Sequence, residues 1–128
     1  MRHLNLISLL VADYDEAIAF YTGPLGFTLV EDTDMGGGKR WVVVAPRPEA
    51  ETRILLAKAA GPFQVGRIGN QAGGRVFLFL HTDDFEADHA RMTAAGVKFM
   101  EAPRREPYGM VAVFEDHCGN RWDLLQPA

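Results

Sequence analysis

The sequence predicts an α+β fold built from two βαβββ modules, and three observations support this prediction. The chain has 128 residues and a mass of 14.2 kDa, which fits one domain or two half-size modules that share a core. Apolar residues make up 48% of it and charged residues 23%, close to the averages for a globular domain. The third observation is a repeat, because one succession of strand, Asp, helix, Gly and further strands occurs twice.

Each module opens with an apolar strand that leads to an Asp and then to a helix. Asp13 and Asp84 are suitable N-caps, because a short carboxylate accepts hydrogen bonds from the amides of the first helical turn. Gly26 and Gly96 are expected to end the helices, since glycine tolerates the left-handed backbone conformation. The opening strand and helix cover residues 4–13 and 14–24 in the first module, and 75–84 and 84–95 in the second.

Three more strands are expected after each helix. In the first module the run GGG, residues 36–38, predicts a hairpin loop, because glycine reaches positive φ without a Cβ clash. In the second module the segment RREPYG is expected to be the corresponding turn. The modules then span about 4–58 and 73–126, with a Gly-rich linker at about 59–74. The strands are predicted at 27–31, 41–45, 53–58, 97–100, 110–115 and 121–126.

Charge, hydropathy and cysteine content argue against several classes of protein. Thirteen Lys and Arg stand against 17 Asp and Glu, a net charge of −4 with no basic stripe, so no nucleic-acid partner is expected. The apolar run at 4–12 is too short for a membrane helix, so no membrane partner is expected either. The single cysteine, Cys118, excludes an internal disulfide and a Cys-based zinc cluster, which favours a reducing, cytoplasmic setting.

Two segments carry a resemblance to a known family. The run LLVADYDEAIAFYTGPLGF, residues 9–27, and the run VFEDHCGNRWDLLQ, residues 113–126, resemble the opening and closing signatures of the vicinal oxygen chelate superfamily. Glyoxalases, bleomycin-resistance proteins, fosfomycin-resistance enzymes and extradiol dioxygenases belong to it. The resemblance covers nearly the whole chain. It implies the glyoxalase/bleomycin resistance/dihydroxybiphenyl dioxygenase fold, in which the curved sheets of the two modules form one cup in a single domain.

The same resemblance implies where a metal would be bound. Metal-dependent members hold a divalent ion with His and Glu residues from the first and last strand of each module. The corresponding positions here are Leu6, Leu55, Phe77 and Asp123. One carboxylate among three apolar side chains does not supply the three or four donors that such an ion needs. No metal and no other cofactor are therefore expected, and none of the histidines, His3, His81, His89 and His117, stands at a ligand position.

Asp123 is the candidate catalytic or binding residue of the expected cup. It would accept a hydrogen bond from a cationic or hydroxyl-bearing ligand, take a proton, or form a structural pair with Arg53 or Arg75. The two arginines would either bind an anionic ligand at the rim or be solvated at strand ends. His117 and Cys118 are neighbours on a turn, so their side chains are expected to point apart rather than form a nucleophile and base.

Aromatic residues complete the candidate site. They would either line a ligand pocket or belong to the core. For Tyr108 the pocket is the favoured interpretation, because this residue is expected in a loop at the cup mouth. The full set of predicted ligand-binding residues is Trp41, Arg53, Leu55, Arg75, Phe77, Phe79, Tyr108 and Asp123, with Leu6 on the same expected cavity.

The resemblance leaves three functions open. The first is a metal-free protein that binds a small molecule in the cup of a homodimer, similar to bleomycin-resistance proteins. The second is an enzyme, either a glyoxalase-like lyase or isomerase or a relative of the extradiol dioxygenases, with Asp123 as general base or sole ligand. The third is an interaction domain without a ligand.

Overall fold

The computed structural model describes all 128 residues and divides into two compact units, Met1–Ile68 and Gly69–Ala128. Each unit contains a strand, a helix and further strands, so the α+β class and the internal repeat are confirmed. The first unit comprises β1 (Leu6–Val11), α1 (Tyr14–Thr22), β2 (Thr28–Gly36), β3 (Lys39–Ala45), β4 (Arg53–Lys58) and α2 (Gly61–Val65).

The first unit is a four-stranded sheet with α1 on one face. The strand order is β1-β4-β3-β2, in which β1 and β4 are parallel and the other pairs are antiparallel. Alternate residues of β1, β3 and β4 are buried on the face that carries the helix, as a period of two along a strand requires. The side chains that form this core are fully buried and include Leu9, Val11, Tyr21, Val42, Val44 and Leu56.

The hairpin between β2 and β3 has the predicted glycine loop. Its two loop residues, Gly37 and Gly38, have φ values of 63° and 83°. A two-residue hairpin loop with positive φ at both positions matches the twist of the strands it joins. The prediction from the GGG run is therefore confirmed.

The second unit repeats the first with one addition. It comprises β5 (Val76–His81), α3 (Phe85–Ala94), β6 (Lys98–Phe99), β7 (Arg104–Glu106), β8 (Gly109–Glu115) and β9 (Arg121–Pro127). The order is β5-β9-β8-β6, with β5 and β9 parallel, and β7 pairs with β8. The segment predicted as a plain turn thus contains a short strand, because residues 104–106 continue the ladder of β8.

Aromatic side chains dominate the core between α3 and the second sheet. Phe114 and Trp122 stack with ring centroids 5.8 Å apart. His89 lies against Phe99 at 4.3 Å, so this helical histidine packs among rings. Phe85 and Met92 of α3 are buried with them.

The helices follow their predicted caps closely, with small differences at the C-terminal ends. The carboxylate of Asp13 accepts a hydrogen bond from the amide of Glu16 at 2.8 Å, as expected of an N-cap. Helix α1 ends at Thr22, so Gly26 (φ 71°) lies in the turn that follows. The linker also contains a short helix, α2, that the Gly-rich composition did not predict. No helix has the length and apolar character that crossing a membrane requires.

Candidate functional site

The predicted positions of the first unit lie on the sheet face opposite α1. Leu6 pairs with Arg53, and Leu55 pairs with Val43 and Ser8. Cross-strand neighbours share a face, so these side chains form one surface. The Arg53 guanidinium donates to the carbonyl oxygen of Ala50 at 3.1 Å, a bond that holds it against the loop before β4.

A cavity of about 560 Å³ lies at one end of this surface. The paired register of β3 and β4 ends at Val42 and Leu56, and the cavity lies beyond that point. Two predicted ligand-binding residues, Trp41 and Leu55, line it together. The remaining lining residues come from the start of α1, the glycine hairpin and the chain after β4: Tyr14, Gly37, Gly38, Lys39, Arg40, Leu56, Ala57, Lys58, Ala59, Ala60 and Gln64.

Asp123 lies at the centre of the second sheet, on the face opposite α3. Strand β9 runs between β5 and β8, and the residues paired with Asp123 are Phe79 and Val113. The side chain is nine-tenths buried, and its Oδ1 atom has no hydrogen-bond partner. A buried polar atom without a partner retains its full desolvation cost. Burial raises the pKa of Asp123, the charge of Arg104 lowers this pKa, and Glu101 raises it.

Arg104 of β7 is therefore the cation that acts on Asp123 within the second unit, and the sequence did not single it out. Its guanidinium donates to Glu101 at 3.1 Å, to Glu106 at 2.8 Å and to the Tyr108 hydroxyl at 3.4 Å. These partners raise the pKa of Arg104 further, so it stays charged. In the sequence, only the alternation of Arg104 and Glu106 indicated that these two side chains share one face of a short strand.

Arg75 is exposed and lies one residue before β5, which agrees with the alternative of a solvated arginine at a strand end. The arginine that occupies the position of Arg53 in the second module is Arg121, because both begin the closing strand. The Arg121 guanidinium donates to the carbonyl oxygen of Gly74 at 3.4 Å.

The aromatic candidates lie outside the buried core. Phe79 is 62% exposed and Tyr108 is 52% exposed, while Trp41 and Phe77 are half-buried. Phe79 and Tyr108 are therefore not core residues of the second unit, and Trp41 and Phe77 are only partly covered. Solvent-facing aromatic side chains on a sheet face are typical of a surface that meets a ligand or another chain.

The four positions of the family's metal site do not fit a metal ion. Leu6, Leu55 and Phe77 carry no donor atom, and the single carboxylate of Asp123 is far short of a coordination set. His3 and His81 are exposed, and His89 packs between rings.

The turn 116–120 brings together three other side chains that could each offer a ligand atom to a metal ion. The Oδ1 atom of Asp116 accepts hydrogen bonds from the amides of Cys118, Gly119 and Asn120 at 2.9–3.0 Å, and its Oδ2 accepts one from the side-chain amide of Asn120. Cys118 Sγ lies 3.3 Å from His117 Nε2, so the expectation that these side chains point apart is wrong. The Asp116, His117 and Cys118 atoms lie within 4.8 Å of one another, but the carboxylate is engaged in holding the turn.

The start of the second unit packs on this turn. A Cβ atom on Gly69 (φ 73°) would overlap the carbonyl oxygen of Cys118, so only glycine fits this close approach. The amide of Gln71 donates to Asn120 Oδ1 at 3.2 Å. Backbone contacts of this kind make the turn a structural element.

Comparison with known proteins places these features in a family. A protein of Shewanella frigidimarina (strain NCIMB 400) with no characterised function is 57% identical over 121 residues, covering 94% of this chain and 90% of its own length. The crystal structure of UcmS2 is similar with a TM-score of 0.84 and 34% identity, covering 98% of each chain. TnmS3, an antibiotic binding protein from Streptomyces sp. CB03234, is 34% identical with a TM-score of 0.80, covering all of this chain and 98% of its own.

The match to a family profile extends over nearly the whole chain. Residues 3–124 match the Glyoxalase/Bleomycin resistance protein/Dioxygenase superfamily. The order of strand, helix and further strands in both units, and the Asp-capped helices, agree with this match. The chain therefore belongs to the Glyoxalase/Bleomycin resistance protein/Dioxygenase superfamily.

Proposed function

We propose that this protein binds a small, largely apolar aromatic molecule without a metal ion and holds it rather than transforming it. The observation that carries the proposal is the replacement of three of the four family ligand positions by Leu6, Leu55 and Phe77. Side chains of this kind exclude water and offer dispersion contacts, which suits an apolar ligand. The similarity to an antibiotic binding protein supports the same conclusion.

The cavity beside Trp41 supports the proposal by its size and lining. Its volume of about 560 Å³ is in the range of small-molecule pockets, which are mostly apolar with a few polar groups. The indole of Trp41 offers a flat surface for stacking, worth about 0.5–1.5 kcal/mol beyond the buried area. Leu55 and Ala57 add apolar contacts from the neighbouring strand.

Asp123 is proposed as a polar contact for a ligand on the sheet face of the second unit. Its Oδ1 atom is buried without a partner, so a hydroxyl, amide or ammonium group that donates to it would remove a cost of about 1–3 kcal/mol. We further propose that Arg53 contributes to binding in the first unit, and that Phe77, Phe79 and Tyr108 contribute in the second unit. Arg75 would contribute only at the edge of the second unit's sheet face.

The assembly and location are part of the same proposal. The protein is proposed to form a homodimer, as the family resemblance implies, because exposed apolar side chains such as Phe79 need a cover. Its single cysteine is compatible with a cytoplasmic setting.

A second candidate function is favoured by one observation. Burial raises the pKa of Asp123, and a carboxylate of raised pKa suits proton abstraction near neutral pH. The chain would then be a lyase or isomerase in which Asp123 is the general base.

A binding screen followed by chemical analysis tests both functions. The wild-type protein is titrated calorimetrically with a panel of small planar aromatic antibiotics, and bound molecules are recovered and identified by mass spectrometry. The binding function predicts a saturable ligand recovered unchanged, weakened at least tenfold by Leu55→Gln but not by Leu29→Gln, which lies outside the cavity. A product that accumulates with Asp123 present and not with Asp123→Asn would favour the enzyme. Stoichiometric metal in protein purified without chelator would contradict the metal-free proposal.

A further inference from the structure

We infer that the cavity beside Trp41 selects planar aromatic ligands that carry an anionic substituent, an inference that rests on the proposed small-molecule binding. The cavity lies wholly within the first unit, so the argument needs only residues of that unit. Its basis is the charge of the lining, which has one sign.

The charged residues that line the cavity are three cations, Lys39, Arg40 and Lys58, and no Asp or Glu lines it. This differs from the chain as a whole, which has a net charge of −4. It also differs from a cavity of about 360 Å³ in the second unit, where Asp83, Asp84 and Glu86 accompany a single arginine. A cationic lining in an acidic protein favours an anionic ligand at this position.

Arg40 is not the cation available to a ligand. Its guanidinium donates to Asp15 at 2.9 Å and to Asp32 at 2.7 Å, and it lies 5.2 Å from the centre of the Tyr14 ring. Hydrogen bonding to Arg40 lowers the pKa of Asp32, so both charges of that pair persist. Arg40 is therefore fixed, and its single charge is more than balanced by the two carboxylates, so the uncompensated positive charge of the lining comes from the lysines.

The two lysines keep their charges uncompensated. Neither the Lys39 nor the Lys58 ammonium has a carboxylate within 4 Å, whereas Lys98 in the second unit pairs with Glu115 at 3.5 Å. Lys39 begins β3 and Lys58 ends β4, so both stand where the two strands are no longer paired. An anionic group bound in the cavity would be attracted by both lysines, through Coulomb interactions weakened by solvent.

The apolar part of the lining determines the rest of the ligand. Trp41 and Leu55 are half-buried, and Ala57, Ala59 and Ala60 add small side chains, which leaves room for a flat ring system. The side-chain oxygen Oε1 of Gln64 accepts a hydrogen bond from the backbone amide of Ala60 at 2.8 Å and so fixes the start of α2 beside the cavity. A planar ring on Trp41 with an acidic group toward the lysines matches this lining.

Two fluorescent probes that differ by one sulfonate test the inference. N-phenyl-1-naphthylamine is neutral, and 1-anilinonaphthalene-8-sulfonate is the same ring system with an anionic group. Both are titrated into wild-type protein and into the double variant Lys39→Gln/Lys58→Gln. Trp41→Leu removes the stacking surface, and Lys98→Gln is the control for loss of a surface lysine outside the cavity.

The expected result is a preference of roughly five- to tenfold for the sulfonate in wild type at low salt, reduced by high salt. The double variant should lose that preference while it binds the neutral probe as before, Trp41→Leu should weaken both probes, and Lys98→Gln should change neither. Equal binding of the two probes in wild type, or a preference that survives in the double variant, overturns the inference. Equal binding that still depends on Trp41 leaves the proposed function standing. If neither probe binds, the inference is overturned, and the antibiotic panel tests the function separately.

Discussion

Replacing Asp123 by leucine should stabilise the fold and weaken ligand binding on the sheet face of the second unit. The carboxylate is nine-tenths buried with an unpartnered Oδ1 atom, flanked by Phe79 and Val113. The first module shows that this position accepts the larger apolar side chain, because Leu55 occupies it there. The variant thus gives the second module the same residue that the first module has at this position.

The expected gain is about 1–3 kcal/mol at neutral pH, the cost of one buried polar group without a hydrogen bond. Arg104 is not left alone by the change, because Glu101 and Glu106 hold its guanidinium. The loss of about 3–5 kcal/mol that follows the breaking of a buried ion pair is therefore not expected.

The gain should depend on pH in a defined direction. Burial raises the pKa of Asp123, so the folded protein binds this proton more tightly than the unfolded chain. The stability that this proton provides is present below the unfolded pKa and is lost as the pH rises through the folded pKa. Leucine does not titrate, so the advantage of Asp123→Leu over wild type should grow from about pH 4 to about pH 8.

Urea denaturation at both pH values, at one protein concentration, measures this effect. Asp123→Asn serves as a second variant that removes the charge and keeps the shape, and Asp83→Asn, on the surface, is the control. The reasoning is refuted if Asp123→Leu is less stable than wild type by more than about 1 kcal/mol at neutral pH. A gain independent of pH would refute the assignment of its cause to the carboxylate.

Three further predictions concern the turn and the assembly. Asp116→Ala should lower the unfolding free energy by about 3 kcal/mol, because three backbone amides lose their acceptor. Urea denaturation measures this change, and the control Asp83→Ala should stay within about 0.5 kcal/mol of wild type. Gly69→Ala should lower the unfolding free energy by at least about 2 kcal/mol more than Gly73→Ala. Both glycines have positive φ, but only a Cβ atom at residue 69 would overlap the Cys118 carbonyl oxygen. Equal changes in melting temperature for the two variants would contradict the close contact. Light scattering should give about twice the chain mass of 14.2 kDa, and the mass of a single chain would contradict the proposed dimer.

Local signals in the sequence predicted most of the elements. Asp13 and Asp84 cap the helices as expected, and the GGG run forms the expected hairpin loop. Strand β7 was missed because the charged segment RREPYG resembles a turn, and its strand geometry comes from pairing with β8. A strand of three residues has little propensity of its own and depends on its partner.

The sequence predicted the candidate site only where strand alternation determines which face of the sheet a side chain lies on. Alternation placed Leu55 and Asp123 on the faces opposite the helices. The effect of Arg104 on Asp123 depends on how β7 returns along β8, which local sequence does not encode. The side chains of His117 and Cys118 lie close together because the backbone forms a tight turn there. The carboxylate of Asp116 stabilises this turn by accepting hydrogen bonds from its amides.

The contact of Gly69 with the turn 116–120 determines where the chain can be divided. A fragment that begins at residue 73 would omit both Gly69 and the Gln71 amide, leaving the Asn120 side chain without one of its partners. A fragment that begins at Gly69 keeps these contacts, because they join only residues of the second unit. Circular permutation or fragment expression should therefore open the backbone just before Gly69, among the exposed residues that follow Val65.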